Sequence, residues 1–312
     1  MTGLGPLEWI KLAIFYASFL YFIAAPMTVW AMLRRQGPAR LLLAGFFVII
    51  SLLAYGRFVE PRLLVVSEHA LTLKKCFKTG GAMRIAVFSD THNGLFKNVT
   101  PAARIVRRVN AAKPDFVLIA GDFTYYLAPE NFTDNFSAFD DVSAPLFAVL
   151  GNHDIGLPGP DLSEALNEAL PRLGVRLIDN QKLKLSNSRF AIELVGLSDH
   201  RGGRQDFSLL AAQSDSPRLV LTHNPATVND LSTDETADLL IGGHTHGGQI
   251  QAPVLTCLLT GVCGDAAYGL RESNGVLTFT TSGTGMVVVP MRFRMPPRID
   301  ILDVQYSACT AK

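Results

Sequence analysis

Side chains that bind metal ions recur in five short motifs along this chain of 312 residues. The motifs are, in order, Asp90-Thr91-His92, Gly121-Asp122, Gly151-Asn152-His153-Asp154, Leu221-Thr222-His223 and Gly243-His244-Thr245-His246-Gly247. Each motif is weak by itself, but the ordered set uses most of the seven histidines of the chain. Its carboxylate, amide and imidazole groups, without any thiolate, suit borderline divalent ions such as Mn, Fe or Zn. The motifs therefore predict a site for two adjacent divalent metal ions.

A short apolar run precedes each motif and ends where the motif begins. The runs cover residues 84–89, 116–120, 146–150, 218–221 and 239–241. Continuous apolar runs of this length, bounded by glycine or polar residues, are typical of strands that are buried on both faces. Polar residues directly after such strands lie at the carboxyl edge of the sheet, where α/β folds bind their ligands. The sequence therefore predicts that all five motifs meet at one edge of one sheet.

The ordered motifs resemble those of the calcineurin-like metallophosphoesterases, especially those of their bacterial membrane-linked branch. The resemblance covers residues 82–304, and its late motif reads Gly243-His244-Thr245-His246-Gly247-Gly248-Gln249. It implies an α/β protein with a four-layer αββα metallophosphoesterase sandwich and a dinuclear metal site. It also implies an enzyme, namely a metal-dependent phosphoric ester hydrolase.

The resemblance, carried over residue by residue, also implies a set of metal ligands and a catalytic group. One ion would be held by Asp90, His92, Asp122 and His246. The other ion would be held by Asp122, Asn152, His223 and His244. The Asp122 carboxylate would bridge the two ions, and His153 would stand beside the phosphate as an electrophilic or acid group.

The chemistry of such a site follows from the two charges. Two metal ions about 3.5–4 Å apart can clamp both the attacking and the leaving oxygen of an in-line phosphoryl displacement. A bridging water or hydroxide becomes the nucleophile, so that no Ser, Cys or Asp nucleophile is required. Metal-bound histidines must be neutral, and activity is therefore expected to fall in acid. The predicted reaction is hydrolysis of a phosphodiester or pyrophosphate bond by metal-activated hydroxide.

Two departures from the pattern of the family bear on mechanism and substrate. Many relatives carry a second Asp three residues after the bridging one, where it orients the catalytic His, but this chain has Tyr125 there. Support for His153 would then have to come from Asp154 or from the Tyr125 hydroxyl. Protein Ser/Thr phosphatases place arginines after the same motifs, whereas Tyr126 and Ile155 stand in those stretches here. This argues against phosphoprotein substrates.

Two apolar runs near the N-terminus predict a membrane helical hairpin. Residues 12–33 carry no charge and would span about 33 Å as a helix, which is enough for a hydrocarbon core of about 30 Å. Trp9 and Trp30 lie near its ends, as interfacial aromatics do, and Pro26 is expected to kink it. Residues 41–56 would span only about 24 Å, and the run extends to residue 58 if Arg57 snorkels. A cleaved signal peptide followed by a buried helix is the alternative.

Composition and length set the predicted domains. The hairpin takes residues 1–60, a linker with a first strand takes residues 61–81, and the catalytic domain takes residues 82–312. A mean hydropathy of +0.25 is high for a soluble enzyme, and the excess lies in the hairpin. With a net charge of +1 and 18% charged residues, the chain lacks the basic footprint of a nucleic-acid-binding protein. No nucleic acid partner is expected.

The side of the membrane depends on how many runs cross it. Arg34, Arg35 and Arg40 lie in the short loop between the runs and favour the cytoplasm. Two crossings then make a multi-pass protein of the bacterial inner membrane with the catalytic domain on the periplasmic, outer side. A single crossing would leave the catalytic domain in the cytoplasm instead.

Cysteines bear on the same question. The chain has four, and Cys257 with Cys263 and Cys76 with Cys309 are the candidate disulfide pairs. An even number with two plausible pairs suits an oxidising compartment. Four unrelated thiols in a reducing cytosol are the alternative.

Two further features concern the substrate. Arg201 and Arg204 form a basic loop flexed by glycines that could hold a phosphate, although a plain solvated turn would look the same. The apolar stretch 252–263 directly follows the last metal motif. This stretch is either ordinary core or a lipid-facing lip beside the site, since exposed apolar patches mark binding surfaces. The second interpretation predicts a membrane lipid or lipid-linked phosphate as substrate.

The sequence is also compatible with three other functions. One is the hydrolysis of UDP-2,3-diacylglucosamine in lipid A biosynthesis, which requires a cytoplasmic active site. Another is a non-catalytic scaffold with the same fold, against which the complete ligand set argues. The third is a DNA nuclease, which the charge balance and the hairpin disfavour. Activity against a substrate panel with each metal supplied in turn would separate them.

Overall fold

A computed structural model describes residues 4–96, 99–211, 213–252 and 267–309 of the chain. It begins with three apolar helices, which are α1 (Pro6–Ala17), α2 (Tyr21–Leu33) and α3 (Pro38–Ala54). A 3₁₀ turn over Ser18–Leu20 joins α1 to α2, so that the first apolar run forms one helical segment. The change in helical geometry lies at this turn, and Pro26 lies within α2. A π-helical turn, Tyr55–Val59, follows α3 and leads towards the catalytic domain.

The catalytic domain is built from strands with three further α-helices. The strands are β1 (Val65–Thr72), β2 (Gly81–Phe88), β3 (Asn93–Gly94), β4 (Phe116–Ala120), β5 (Thr124–Tyr125), β6 (Leu146–Val149), β7 (Val175–Leu177), β8 (Gln181–Ser186), β9 (Ala191–Gly196), β10 (Arg218–Leu221), β11 (Leu239–Gly242), β12 (Gly269–Ser273), β13 (Val276–Thr280) and β14 (Arg298–Tyr306). The helices are α4 (Ala102–Ala112), α5 (Phe132–Phe136) and α6 (Ser163–Arg172).

Two six-stranded sheets form the centre of the domain. The first has the order β1-β14-β2-β4-β6-β7 and the second the order β12-β13-β11-β10-β9-β8. Alternate side chains of the first sheet, such as Ile85 and Leu118, pack against Leu219 and Ile241 of the second. The other face of the first sheet packs against α4, α5 and α6. Short 3₁₀ helices, including Phe207–Leu210, cover the outer face of the second sheet. The predicted two-sheet metallophosphoesterase sandwich is confirmed.

The prediction that all five motifs follow strands of one sheet is wrong. β2, β4 and β6 are parallel neighbours in the first sheet and carry the first three motifs. β10 and β11 are parallel neighbours in the second sheet and carry the last two. A continuous apolar run shows that a strand is buried, but it does not show which strand it pairs with. The motifs meet because the carboxyl edges of two packed sheets lie side by side.

The N-terminal helices expose large apolar side chains, whereas α1 buries its two charged ones. Two segments, Pro6–Leu33 and Pro38–Arg62, are long and apolar enough to cross a membrane by length and composition. Large apolar side chains exposed on them include Trp9, Ile10, Phe22, Trp30 and Leu42. Glu8 and Lys11, by contrast, are each 6% exposed. This reverses the arrangement in soluble proteins and matches helices in lipid, whose ionisable groups face the protein. The surface indicates membrane association.

Arg57 does not snorkel outward as the sequence suggested. Its guanidinium group is buried, stacks over the Phe15 ring at 4.2 Å from the ring centroid, and donates from Nε to the Ser18 hydroxyl at 3.0 Å. Stacking on an aromatic ring and the hydrogen bond stabilise the charge inside the protein. The side chain therefore does not extend to the surface of the membrane.

Of the two candidate pairs, Cys76 and Cys309 form a disulfide, with 4.9 Å between the Cα atoms. It forms because β1 and β14 are parallel neighbours, so that the segments that follow them run side by side. The candidate pair Cys257 and Cys263 lies outside the described residues.

Candidate metal centre

The two candidate carboxylate ligands each leave one oxygen for a metal ion. Asp90 Oδ2 accepts hydrogen bonds from the Ser89 hydroxyl and from the backbone N–H of His244. Asp122 Oδ1 accepts one from the backbone N–H of His153 at 2.9 Å. Asp90 Oδ1 is buried and receives no hydrogen bond from the described part of the chain. An unsatisfied buried oxygen costs free energy, and this atom therefore fits the role of a metal ligand.

The first group of side chains gathers around Asp90 Oδ1. His246 Nε2 lies 3.3 Å from this oxygen, and His92 Nε2 lies 3.6 Å from it. The two Nε2 atoms are 2.9 Å apart. His92 Nε2 also lies 3.5 Å from Asp122 Oδ2, which brings the candidate bridging carboxylate to this group. Oxygen and imidazole nitrogen atoms that converge in this way suit a single borderline ion.

The second group gathers around His223 Nε2. This atom lies 3.2 Å from Asp122 Oδ2, 3.1 Å from His244 Nδ1 and 3.2 Å from Asn152 Oδ1. His223 Nδ1–H donates to the carbonyl oxygen of Ala120 at 2.7 Å, which orients the ring and directs Nε2 into the group. Asp122 Oδ2 belongs to both groups. The structure therefore brings all seven predicted ligands together, with Asp122 between the two halves.

Electrostatics within the groups favours a cation. Burial alone would lower the pKa of His223, but the carboxylate of Asp122 raises it to about 10. Burial alone would raise the pKa of Asp90, but His246 and His92 hold it well below its usual range. The carboxylates of Asp122 and Asp90 thus stabilise positive charge at the site. A divalent ion bound there would require the imidazole nitrogens that hold it to be unprotonated.

The backbone at the site is strained. Five of the seven candidate ligands have a positive φ, namely Asp90, His92, Asp122, His244 and His246. Such conformations are costly for residues with a side chain and cluster at functional sites. Gly121, at φ +77°, shows why the turns are tight, since a Cβ there would lie 2.7 Å from Gly151 N and 2.9 Å from His223 Nδ1. Glycine at this position lets three motifs approach one another.

Asp154 holds two of the motif loops together. Its buried carboxylate accepts hydrogen bonds from the backbone N–H groups of Phe123, Thr124 and Gly151, at 3.1, 2.9 and 3.0 Å. These bonds join the loop after β4 to the loop after β6. These bonds come from backbone groups and not from the His153 ring. Asp154 therefore fixes the loops that carry Asp122 and Asn152 and does not orient His153.

His153 lies at the same edge, with its ring oriented by the backbone. Its Nδ1–H donates to the carbonyl oxygen of Pro158 at 3.1 Å, which leaves Nε2 available to a ligand. Tyr125 meets the ring edge to face, with 4.7 Å between the ring centroids. Burial and the neighbouring His92 lower the pKa of His153 to about 3. The Pro158 carbonyl thus takes the orienting role for which the sequence offered Asp154 or the Tyr125 hydroxyl.

A cavity of about 430 Å³ opens over the candidate ligands. Arg201 lines it, whereas Arg204 is not among the residues that line it. One wall is apolar and consists of Ile250 and the segment 287–289. The apolar stretch 252–263, which the sequence suggested as a lip, lies outside the described residues apart from Ala252. The apolar wall that the structure does describe was not predicted.

Gln249 holds this wall in place. Its side-chain Oε1 accepts from Val287 N at 2.9 Å, and its Nε2 donates to the carbonyl oxygens of Val287 and Val289 at 2.8 and 3.0 Å. Val288, at the tip, is 57% exposed and has φ +60°. A β-branched residue in this conformation is a genuine outlier, and such strain is found at functional sites.

Lys11 also lines the cavity, and sequence reasoning missed it. It belongs to α1, and its ammonium group donates to the Tyr125 hydroxyl at 2.5 Å. Burial and the nearby Glu8 carboxylate raise the pKa of Tyr125, so its hydroxyl stays protonated. The available signal was Glu8 and Lys11 at helical spacing just before an uncharged run, since ionisable residues in apolar helices mark functional sites.

Comparison with known proteins agrees with this geometry. Residues 83–248 match the calcineurin-like phosphoesterase family. The phosphodiesterase YaeI of Escherichia coli (strain K12) is 30% identical over 259 residues, which cover 80% of this chain and 92% of that protein. The uncharacterized metallophosphoesterase YkuE of Bacillus subtilis (strain 168) is 28% identical over 289 residues, covering 88% of this chain and 98% of that protein.

A third relative has a named substrate. The UDP-2,3-diacylglucosamine pyrophosphatase LpxG of Chlamydia trachomatis is 26% identical over 317 residues, covering 81% of this chain and 93% of that protein. The motifs, the two-sheet fold, the paired groups of metal-binding side chains and these relatives agree. The chain belongs to the calcineurin-like phosphoesterases and is a metal-dependent phosphoester hydrolase.

Proposed function

We propose that the protein is a membrane-anchored, dinuclear metal-dependent phosphoesterase that hydrolyses a phosphodiester or pyrophosphate bond in a lipid-linked substrate. The surface of the cavity supports this proposal. The cavity over the candidate ligands has an apolar wall, formed by Ile250 and residues 287–289, and receives Lys11 from the first apolar helix. A substrate with both a phosphate and an apolar tail matches the two kinds of surface.

The proposed roles divide the residues of the cavity. Asp90, His92, Asp122 and His246 would hold one divalent ion, and Asp122, Asn152, His223 and His244 would hold the other. The ions would polarise the phosphate and lower the pKa of water, with Mn, Fe or Zn as the proposed metals. His153 is proposed to face the leaving oxygen through Nε2 and to exchange a proton there, because its Nδ1–H is donated to Pro158. Arg201 is proposed to bind a phosphate oxygen.

A lipid substrate predicts a specific effect at Val288. Val288→Ser should lower the ratio of kcat/KM for a phospholipid in mixed micelles to kcat/KM for bis(p-nitrophenyl) phosphate by about tenfold, the effect of removing one or two apolar groups from a hydrophobic contact. The purified full-length protein would be assayed with Mn, Fe or Zn supplied in turn. Leu270→Ser, which changes an exposed apolar residue on β12, is the matched control and should leave the ratio unchanged.

Two results would contradict the proposal. An unchanged ratio in Val288→Ser would show that the apolar wall does not bind the apolar part of the substrate. Failure of the wild-type protein to hydrolyse any phosphoester with any of the three metals would contradict the function itself.

The similarity to LpxG favours a second candidate, a pyrophosphatase that acts on UDP-2,3-diacylglucosamine from the cytoplasmic side. Its substrate also combines phosphates with acyl chains, so the same cavity would serve. Release of UMP from that compound by the purified protein would support it. This activity requires the catalytic domain to lie in the cytoplasm.

We propose a hairpin topology, with the catalytic domain on the outer, periplasmic side of a bacterial inner membrane. Phe15 of α1 stacks on Phe96 of the catalytic domain with the ring centroids 5.7 Å apart. At the other end of the hairpin, Gly56 O accepts from Arg292 N at 2.9 Å. Contacts at both ends, with residues 34–37 between the helices, support two crossings. The Cys76–Cys309 disulfide supports an oxidising compartment.

This topology predicts the behaviour of two reporters. Alkaline phosphatase fused after Lys312 should be active, because it folds only outside the cytoplasm, and a fluorescent protein that fails in the periplasm should stay dark. The opposite pattern would show that the catalytic domain lies in the cytoplasm. It would then favour the pyrophosphatase that acts on UDP-2,3-diacylglucosamine. The same fusions made after Arg35, in the loop between the helices, are the internal control and should give the reverse signals.

A further inference from the structure

The first helix carries an ion pair on the face that packs against the catalytic domain. Lys11 Nζ lies 3.3 Å from Glu8 Oε1, and both side chains are 8% exposed. The outward face of the same helix is apolar, with Leu7 and Ile10 more than half exposed. A buried ion pair is weak evidence for stability, because the cost of desolvation offsets the attraction. In an apolar helix it points to a function instead.

Lys11 enters the cavity beside the candidate metal ligands. Its ammonium group donates to the Tyr125 hydroxyl, and the Tyr125 ring meets His153 and His92 edge to face, with 4.7 and 5.7 Å between the ring centroids. Lys11 and Tyr125 line the same cavity as Asp122. One aromatic ring therefore separates this cation from the imidazoles.

Two donors of this pair remain for a ligand. An ammonium group has three N–H donors, and Lys11 uses two of them, towards Glu8 and Tyr125. The Tyr125 hydroxyl accepts from Lys11, and its own hydrogen has no acceptor among the described residues. Glu8 holds the ammonium group in place before any substrate arrives, which reduces the entropy lost on binding. A fixed cation beside a free hydroxyl donor suits an anionic oxygen.

We infer that Lys11 and Tyr125 form an anion subsite for a second charged group of the substrate, next to the phosphate at the metal ions. The subsite selects pyrophosphate diesters over simple phosphodiesters, because only the former carry a second phosphate beside the scissile bond. This inference rests on the proposed function, since it assigns a specificity-determining role within the same cavity. It also makes the first apolar helix a part of the active site.

The test compares two water-soluble substrates, so that membrane partition does not enter. UDP-N-acetylglucosamine carries two linked phosphates, and bis(p-nitrophenyl) phosphate carries one. Lys11→Met keeps the length of the side chain and removes its charge. It should lower the ratio of kcat/KM for the first substrate to kcat/KM for the second by about 10-fold to 100-fold, the effect of one lost charge-assisted hydrogen bond. Lys11→Arg should restore most of the ratio.

Two further variants keep the test informative. Ile10→Met, on the outward face of α1, is the matched control and should leave the ratio unchanged. Tyr125→Phe should lower the ratio in the same direction as Lys11→Met, and it tests the subsite if Lys11→Met fails to fold. A second readout is the Kd of UDP-N-acetylglucosamine, measured by calorimetry on manganese-loaded His153→Ala protein with and without Lys11→Met. Slow turnover in that background makes a binding measurement practical.

The outcomes separate this inference from the function on which it rests. Weaker binding and a lower ratio in Lys11→Met support the subsite. Equal losses on both substrates would make Lys11 a structural residue, and an unchanged ratio would remove it from substrate binding; either result overturns the inference and leaves the function standing. A wild-type enzyme that hydrolyses only the single phosphodiester also overturns it. A wild-type protein that hydrolyses and binds neither compound contradicts the proposed function.

Discussion

Asp122→Asn is expected to abolish binding of both metal ions and to lower turnover by several orders of magnitude, while the protein still folds. Asp122 Oδ2 lies 3.5 Å from His92 Nε2 and 3.2 Å from His223 Nε2, so it is the one carboxylate oxygen shared by the two groups of side chains. An amide keeps the shape but loses the charge that two adjacent cations require. The loss of rate is large because each ion stabilises charge that develops in the transition state.

Metal content is the decisive measurement for this variant. Elemental analysis of the purified variant after dialysis should show a loss of both ions, whereas the wild-type protein should retain two per chain. Asp141→Asn, which makes the same change at an exposed position, should behave like the wild type. Two bound ions per chain in Asp122→Asn would refute the bridging role. Circular dichroism would establish that the variant is folded.

His153→Ala is expected to keep its metal ions and to lose about 10²–10⁴-fold in turnover, the range for a lost acid–base group. The Pro158 carbonyl oxygen takes the Nδ1–H of this ring, and Nε2 is left for the substrate. His153 also lies close enough to His92 and Asp122 to be a ligand by distance alone. Metal analysis therefore has to accompany the kinetics.

The two roles of His153 predict different results. An acid–base residue leaves the metal content near that of the wild type, and a ligand does not. Metal content that falls together with activity would reassign His153 to the metal centre. His200→Ala, at a histidine paired with Asp230 at 2.8 Å, is the control and should retain both ions and full activity.

The sequence predicted the strands of the site well. The runs 116–120 and 218–221 coincide with β4 and β10, because each is bounded by a polar or glycine residue and buried on both faces. It failed to predict that the motifs divide between two sheets, since the partner of a strand is a long-range property. The ligand groups came together nonetheless, because the late motifs follow parallel strands of a second sheet packed on the first.

The cavity was less predictable than the ligands. Val288 lies 42 residues after His246 in the sequence, and hydrogen bonds from the Gln249 side chain help to hold its turn over the site. Lys11 lies 79 residues before Asp90, on a helix whose hydropathy signal begins one residue later. Neither position has a local pattern that points to phosphate chemistry. Both become visible only when distant segments pack together.

The contacts at both ends of the hairpin have a geometric consequence. A Cβ at Gly56 would lie 2.8 Å from Met291 Cε and 2.9 Å from the carbonyl oxygen of Arg292, so the last turn after α3 fits closely against the domain. The contacts at Gly56, together with those of Lys11 and Phe15, hold both ends of the apolar hairpin against the catalytic domain. For a membrane-associated enzyme, the height of the catalytic centre above the bilayer is then fixed. A membrane-embedded substrate would then have to present its scissile bond at that height, whereas a water-soluble compound is free of this requirement.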